Sequence, residues 1–375
     1  MSDTPRLSII VPALNEGANL AALAERIDAA VRGREGGYEI LVVDDNSHDE
    51  TRAVSEELSR RLPYRLIVRE QPRDGLSGAV LCGISQTRGE YLVVMDADLQ
   101  HPPERIPELL QPLEGGQADF VIGSRYVQGA STAEKWSVFR RINSRVATLL
   151  ARPFAGDTTD PMSGFFALRR STFERAQRLT PLGYKIGLEL MCKCRVRTVR
   201  EIPIHFAERT RGESKLTLKQ QFRYLEHLSR LYDFTFPRAS PVVKFLVVLA
   251  VSWLAGFVAF AMLLKMTIAP ARAVTIAYLL AIIVTALFHL RYVRTQREFL
   301  VRPRPWMDFV LISAAELLAA TLMAMWVVWR IDGYTRLELF VIPFAVATVV
   351  RYVLRKELLQ DVRGLRREIR RDELT

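Results

Sequence analysis

Tyr91-Leu92-Val93-Val94-Met95-Asp96-Ala97-Asp98-Leu99-Gln100 decides how the first half of this chain is read. A short apolar run ends abruptly in two carboxylates and an amide, which is the pattern of a strand leaving a sheet into a polar loop. Working outward, the same pattern recurs upstream. Residues 7–11 run into Pro12-Ala13-Leu14-Asn15-Glu16, and residues 39–43 run into Asp44-Asp45-Asn46-Ser47. Residues 65–68 form a further strand-like run, and amphipathic helical stretches separate all of these. Such βαβα order predicts an α/β fold with a mainly parallel sheet and crossover helices. Ligands of open sheets sit beyond the carboxyl ends of the strands, where the three polar clusters fall, so one crevice is expected to collect them.

Asp96-x-Asp98 carries the most chemistry. Two carboxylates two residues apart, just past a strand, can both reach one divalent cation, and Gln100 can add a neutral oxygen. Hard oxygen ligands suit Mg²⁺ or Mn²⁺, which bind through one or two carboxylates together with substrate phosphates. An isolated D-x-D is weak evidence, because surface turns produce it often; its place after an apolar strand is what gives it meaning here. No Walker-type loop and no G-x-G-x-x-G is present, which disfavours an ATPase or a dinucleotide enzyme. Cys82, Cys192 and Cys194 offer neither a paired disulfide framework nor zinc-type spacing with histidines, and suit a reducing compartment.

The second half of the 375 residues is different in kind. Residues 242–264, 273–290, 307–329 and 337–354 are long and apolar enough to cross a hydrocarbon core. Residues 237–375 carry 19 Lys and Arg against 10 Asp and Glu, so most of the net charge of +11 belongs to this half. A basic excess flanking apolar spans points to anionic headgroups rather than to nucleic acid. Arg291, Arg294, Arg297, Arg302 and Arg304 in the second connection, and a tail counted from Arg351 onward, are expected on the cytoplasmic side. Four spans then put the N-terminal domain on that side too, giving a multi-pass protein of the cytoplasmic membrane. Glu316 lies within the third span, where a carboxylate reads as a hydrogen bond inside the bundle or as part of a lipid-headgroup path. Residues 216–236 place Leu218, Phe222, Leu225 and Tyr232 along one helical face, which suits an interfacial helix ahead of the first span, although a helix packed on the soluble domain would read the same.

The ordered set V-P-A-L-N-E, D-D-N-S-x-D-x-T, M-D-A-D-L-Q-H-P-P, G-S-R-Y, D-P-M-S-G-F-F, G-Y-K-I and R-x-x-G-x-S-K-L spans nearly all of residues 7–236. It resembles glycosyltransferase family 2, specifically polyprenol-phosphate (dolichol-phosphate) mannose synthases. The membrane half resembles the GtrA-like four-helix domain fused to such enzymes. The resemblance implies a GT-A-type domain over residues 1–236, including the interfacial helix, and a GtrA-like transmembrane domain over 237–375. It further implies that Pro12, Glu16 and Asp45 line a nucleoside pocket. Asp96, Ala97, Asp98 and Gln100 would form the metal and donor-diphosphate site, with Asp96, Asp98 and Gln100 as the metal ligands. Lys185, Arg209 and Lys215 would add cationic contacts to the diphosphate. Arg125, Arg140 and Ser144 would receive the lipid phosphate, with Asp98 and Arg125 as the residues most directly tied to catalysis. Asp160 and Ser163 would shape the sugar site or cap a turn.

The implied reaction is inverting transfer of mannose from GDP-mannose to a polyprenyl phosphate, with Mg²⁺ or Mn²⁺ as cofactor. Leu14 stands where family members commonly carry an aromatic residue, which loosens the assignment of the base. A UDP-sugar-dependent undecaprenyl-phosphate transferase and a non-catalytic lipid-sugar translocator stay open as alternatives. A homo-oligomer is compatible with the sequence.

Overall fold

The computed structural model describes residues 4–132, 138–177, 179–180, 185–207, 218–288 and 305–372, with side chains left out at 132–145, 218–222, 241, 305–308 and 355–372. The chain divides into two compact units, Met1–Thr235 and Phe236–Thr375.

The first unit runs β1 (Leu7–Ala13), α1 (Gly17–Val31), β2 (Tyr38–Asp44), α2 (Thr51–Ser59), β3 (Tyr64–Val68), α3 (Gly75–Gln86) and β4 (Tyr91–Val94). It continues with α4 (Ile106–Glu114), β5 (Phe120–Ser124), β6 (Ser131–Thr132), α5 (Val138–Ala155), β7 (Phe166–Arg169) and α6 (Arg170–Phe173). It closes with α7 (Ile186–Lys193), β8 (Val199–Pro203), β9 (His205–Phe206) and α8 (Leu218–Thr235). Seven strands form one sheet in the order β3-β2-β1-β4-β7-β5-β8, and β6 pairs with β9 in a small second sheet. Within the large sheet every pairing is parallel except those of β7, which runs antiparallel to both β4 and β5.

Alternation along the strands sorts the core into two layers, because successive side chains of a strand face opposite ways. Ile9, Val11, Ile40, Val42 and Val93 pack on one face with Leu20, Leu23 and Ile27 of α1 and Leu109 and Leu113 of α4. Ile10, Leu41, Val43, Leu92 and Val94 pack on the other with Val80 and Ile84 of α3, Phe154 of α5 and Leu188 of α7. Covering both faces with helices is what lets the strands be apolar throughout.

Helix α8 packs on this second layer of the soluble unit, through a face that includes Tyr232 of the expected set but not Leu225. Leu228, Leu231 and His227 are buried, Tyr224 donates to the Ala147 carbonyl at 2.8 Å, and Tyr232 donates to that of Leu150 at 3.1 Å. Leu225, placed by the sequence on the apolar face, is instead exposed, and the side chains of Leu218 and Phe222 lie outside the described residues. The sequence reading followed the aliphatic and aromatic residues and passed over His227, a polar residue that the fold buries. Its Nε2 lies 3.2 Å from Glu189 of α7, a fully buried carboxylate that also accepts from Lys193 at 2.7 Å and from the Thr180 amide at 2.7 Å. Burial acts to raise the Glu189 carboxyl, but His227, Lys193 and Thr180 outweigh it and hold it below its ordinary value.

The second unit comprises α9 (Ser240–Lys265), α10 (Pro270–Phe288), α11 (Pro305–Arg330) and α12 (Arg336–Asp372). Four segments within them, Val242–Lys265, Pro270–Phe288, Phe309–Arg330 and Arg336–Leu354, are long and apolar enough to cross a membrane. Leu246, Leu254 and Met262 of α9 and Leu322 and Met325 of α11 are exposed, which suits hydrocarbon surroundings. Close approach of α9 and α12 depends on Gly256, where a Cβ would stand 2.6 Å from the Phe344 ring.

Glu316 is buried among the helices, as a bundle hydrogen bond requires, but its partner corrects the charge reading. Arg351, counted above as the start of a basic tail, lies inside the bundle on α12, which continues as one helix to Asp372. Its Nε donates to Glu316 at 2.7 Å and its Nη2 pairs with the other carboxylate oxygen. Tyr278 donates to Glu316 at 3.3 Å, Arg351 reaches Thr285 at 3.5 Å, and Thr285 and Ser252 are 2.8 Å apart. Each of the four helices thus supplies a polar side chain to one buried network. Arg351 falls inside the fourth apolar segment, 337–354, whereas Arg355 and Lys356 follow it, so the tail begins after that segment.

Breaking a buried ion pair from one side strands a charge, whereas replacing both partners does not. Glu316→Leu or Arg351→Leu alone is therefore expected to lower the stability of the membrane unit by about 3–5 kcal/mol, with a smaller loss in the double variant. Unfolding in detergent micelles, compared across the three variants and wild type, measures this order.

Candidate active site

The carboxyl ends of β1, β2 and β3 are tied directly together. The Asp45 amide donates to the Ala13 carbonyl at 2.9 Å, and the Arg69 amide donates to that of Asp44 at 2.8 Å. Asn15, with φ of +56°, turns the chain after β1, and its amide donates to Ser47 Oγ at 2.7 Å while its side chain accepts from the His48 amide at 3.0 Å. Asparagine tolerates the left-handed region better than most residues, which explains it at this turn. Asp44 is fully buried and accepts from the Ser47 amide and hydroxyl, so the first of the two adjacent acids is part of the framework.

Asp45, the second acid, pairs with Arg69 at 2.8 Å. Burial pushes the Asp45 carboxyl up, Arg69 opposes the shift, and Asp44 adds to it. Of the other expected nucleoside residues, Pro12 is a buried residue of β1 opposite Val43, and Glu16 accepts from the Asn19 side chain at 2.7 Å. Arg69 is absent from the sequence reading. Only its position directly after β3 could have marked it, and strand three carried no acidic cluster to draw notice.

The D-x-D turn leaves β4 beside them. Leu99 takes φ of +63°, and the Gln100 amide donates to Asp98 Oδ1 at 3.2 Å. Gln100 is joined to Ala207, beyond β9, by two bonds of 3.1 Å, one from its side chain and one to its carbonyl. His101 is buried, stacked on Phe165 with ring centres 5.4 Å apart and edge-on to Phe206 at the same separation. Burial lowers its imidazole to about 4, so it is neutral near pH 7, and it accepts from the Asp96 amide at 3.3 Å.

Asp96 keeps a half-exposed carboxylate that rests over the backbone of Gly164, where a Cβ would stand 2.8 Å from Oδ2. The residues fit a divalent cation of the Mg²⁺ or Mn²⁺ type. Two carboxylates and an amide are hard donors, and the missing Cβ at Gly164 leaves Asp96 its place. No group of three or more His, Cys, Asp and Glu is close enough to hold a metal among the described residues.

On the antiparallel side of the sheet, Arg125 leaves β5 and is clamped by Asp160. Asp160 accepts from Arg125 Nε and Nη2 at 2.8 Å each and from its amide at 3.1 Å. Burial opposes the charge on Arg125, but Asp160 more than offsets it, and the guanidinium stays charged. Its centre lies 5.2 Å from the Phe206 ring and 5.5 Å from that of Tyr126.

Lys185 donates to the Met162 carbonyl at 3.0 Å. Burial, and then the positive charge of Arg125, lower its ammonium to about 8, while Asp160 and Asp96 act the other way. The structure thus brings Asp96, Asp98, His101, Arg125, Asp160 and Lys185 into one electrostatic neighbourhood. Arg209 and Lys215 lie outside the described residues, as do the side chains of Arg140 and Ser144 on the first turns of α5. Ser163 turns back to the Gly123 carbonyl at 2.8 Å, as a turn cap does.

Outer contacts of metal ligands commonly set affinity by about 10–100-fold. Gly164→Ala, whose new methyl would displace the Asp96 carboxylate, is expected to weaken Mn²⁺ binding by about tenfold or more. Titration of free Mn²⁺ by electron paramagnetic resonance, beside a thermal unfolding control that stays near wild type, checks this.

Residues 8–176 match the family described as Glycosyl transferase family 2. A dolichol-phosphate mannosyltransferase of Pyrococcus furiosus is 44% identical over 246 residues, covering 65% of this chain and 68% of that protein. The protein of the same description from Mycosarcoma maydis is 43% identical, covering 67% of this chain and 86% of that one. The one from Saccharomyces cerevisiae is 40% identical, covering 61% and 88% respectively. Each relative is at least 40% identical and is covered over more than two thirds of its own length. The chain belongs to glycosyltransferase family 2.

Proposed function

We propose that this chain transfers mannose from GDP-mannose to a dolichyl-type polyprenyl phosphate, giving the β-linked mannosyl lipid and GDP. Its relatives are dolichol-phosphate mannosyltransferases, and four helices of its own are long and apolar enough for a membrane. The observation that carries the reading is the meeting of a paired-carboxylate turn with two cations, Arg125 and Lys185, at the carboxyl edge of the sheet.

The acceptor needs little activation. A phosphate monoester is already largely dianionic near neutral pH, since its second pKa is about 6. The demand on the protein is to hold two anionic substrates side by side without mutual repulsion, in line for displacement. Asp96 and Asp98, with Gln100, would hold Mg²⁺ or Mn²⁺, which when bound takes up charge on the leaving diphosphate. Lys185, together with Arg209 and Lys215, would contact the same diphosphate. Arg125, with Arg140 and Ser144, would bind the lipid phosphate. Asp45 and Arg69, with Pro12 and Glu16, would line the nucleoside end. A single direct displacement inverts the anomeric carbon, so an α-linked donor gives a β-linked product.

His101, neutral and buried, serves as packing behind the turn, and no general base is required. The arginine-rich second connection supports placing the catalytic unit on the cytoplasmic side of the membrane. Arg351 drops out of that count, and Arg291, Arg294, Arg297, Arg302 and Arg304 still carry it.

Membranes containing the protein, given labelled GDP-mannose and polyprenyl phosphate, should form mannolipid only with Mg²⁺ or Mn²⁺ present. EDTA should abolish the product and added Mn²⁺ restore it. Asp98→Ala should lower turnover by about 10²–10³-fold, the scale of losing one preorganised electrostatic group. Product from UDP-glucose alone would overturn the donor, and turnover untouched by chelation would overturn the metal's role.

A further inference from the structure

We propose that Glu201 of β8 is a positioning residue for this reaction, fixing the orientation of the Arg125 guanidinium through the turn that carries Asp160. The inference rests on the reading of Arg125 as a cation for the acceptor phosphate.

The chain of contacts is continuous. Glu201 stands opposite Ile122 in the parallel pairing of β8 with β5, so it lies near the strand end from which Arg125 emerges. Its Oε1 accepts from Thr159 Oγ1 at 2.9 Å and from the Asp160 amide at 3.0 Å, and its Oε2 accepts from the Thr159 amide at 2.9 Å. All three donors belong to one two-residue turn. From β5, Ser124 Oγ lies 3.1 Å from the same Thr159 Oγ1. The turn is thereby pinned between two neighbouring strands, β5 and β8.

Asp160, fully buried in the same turn, then presents both oxygens to Arg125 in the two-pronged geometry that a guanidinium requires. A fork of this kind fixes direction as well as distance, so a tilt of the Asp160 backbone becomes a tilt of Arg125. Phe206 and Tyr126 limit where the guanidinium can go.

A purely architectural explanation is weaker. Glu201 is half-buried on a strand at the end of the sheet, and belongs to neither apolar layer. A side chain so placed can change without opening a cavity. What it supplies is a set of three acceptor contacts to a turn that would otherwise be held from one strand.

The test uses the full-length protein in detergent or nanodiscs, with Glu201→Ala and Glu201→Gln beside wild type. Initial rates are taken against polyprenyl phosphate at saturating GDP-mannose, and against GDP-mannose at saturating lipid. Glu201→Ala should raise the KM for polyprenyl phosphate by about tenfold and leave that for GDP-mannose within about twofold, as misplacement at one substrate predicts. Glu201→Gln should recover part of the loss, because its amide oxygen can still accept from Thr159 and Asp160.

A readout independent of turnover is the rate at which phenylglyoxal labels Arg125, followed by peptide mass spectrometry. It should rise clearly in Glu201→Ala and less in Glu201→Gln. Unchanged labelling together with an unchanged lipid KM would overturn the proposal. So would a parallel rise in both KM values with a fall in unfolding temperature, which marks a general structural loss. Were the wild-type protein inactive on polyprenyl phosphate, the functional reading would fall, while the labelling rates would still decide whether Glu201 fixes Arg125.

Discussion

Parallel pairing of β1 with both β2 and β4 is the constraint on which the site depends. Residue for residue, Ala13 lies opposite Asp44, and Ile10 lies opposite Val94. Their chains therefore leave the sheet at one edge, and the polar clusters that follow have no choice but to meet. Short ties between the loops then convert nearness into fixed geometry. Asp45 bonds to Ala13, Asn15 to Ser47 and His48, and Met95 to Ile10. A register slip of one residue would turn every core side chain of β1 to the wrong layer, so the apolar alternation that stabilises the domain also holds the carboxylates in place.

Both units handle buried charge by the same rule. An ion taken out of water must be paired and its remaining hydrogen-bonding capacity filled. Asp160 meets Arg125 and the backbone, Glu189 meets Lys193, His227 and Thr180, and Glu316 meets Arg351 and Tyr278. The three arrangements differ in what they do. The first holds a cation at the site, the second fastens α8 to α7, and the third links helices of the membrane unit. Lys185 stands apart, because burial beside Arg125 leaves its ammonium at about 8, within reach of the pH range in which enzymes work. An incoming diphosphate would stabilise its charged form.

Much of this was legible in the residues. The apolar runs gave β1 to β4, their order predicted parallel pairing, and span lengths located four membrane helices to within a few residues. The antiparallel insertion of β7 was not legible, since an apolar run has no direction in its composition. Composition alone does not separate Asp44 from Asp45, and only the resemblance singled out Asp45; one is framework and the other faces Arg69. Deciding between them needs the turn geometry that Ser47 reports only after folding. Arg69 and Glu201 escaped notice, and Arg351 read as a tail charge, for a shared reason. Each acts through a partner distant in sequence, which nothing local reveals. The expected face of α8 took in Leu225, which is exposed, and passed over His227, which is buried, because a polar residue does not advertise burial.

An anomalous-scattering map from crystals grown with Mn²⁺ and GDP puts the central claim to its most direct test. One Mn²⁺ peak in contact with the Asp96 and Asp98 carboxylates, with the GDP diphosphate beside it and near Lys185, is the predicted result. A Mn²⁺ peak held elsewhere, or GDP bound with no metal at those carboxylates, would contradict it.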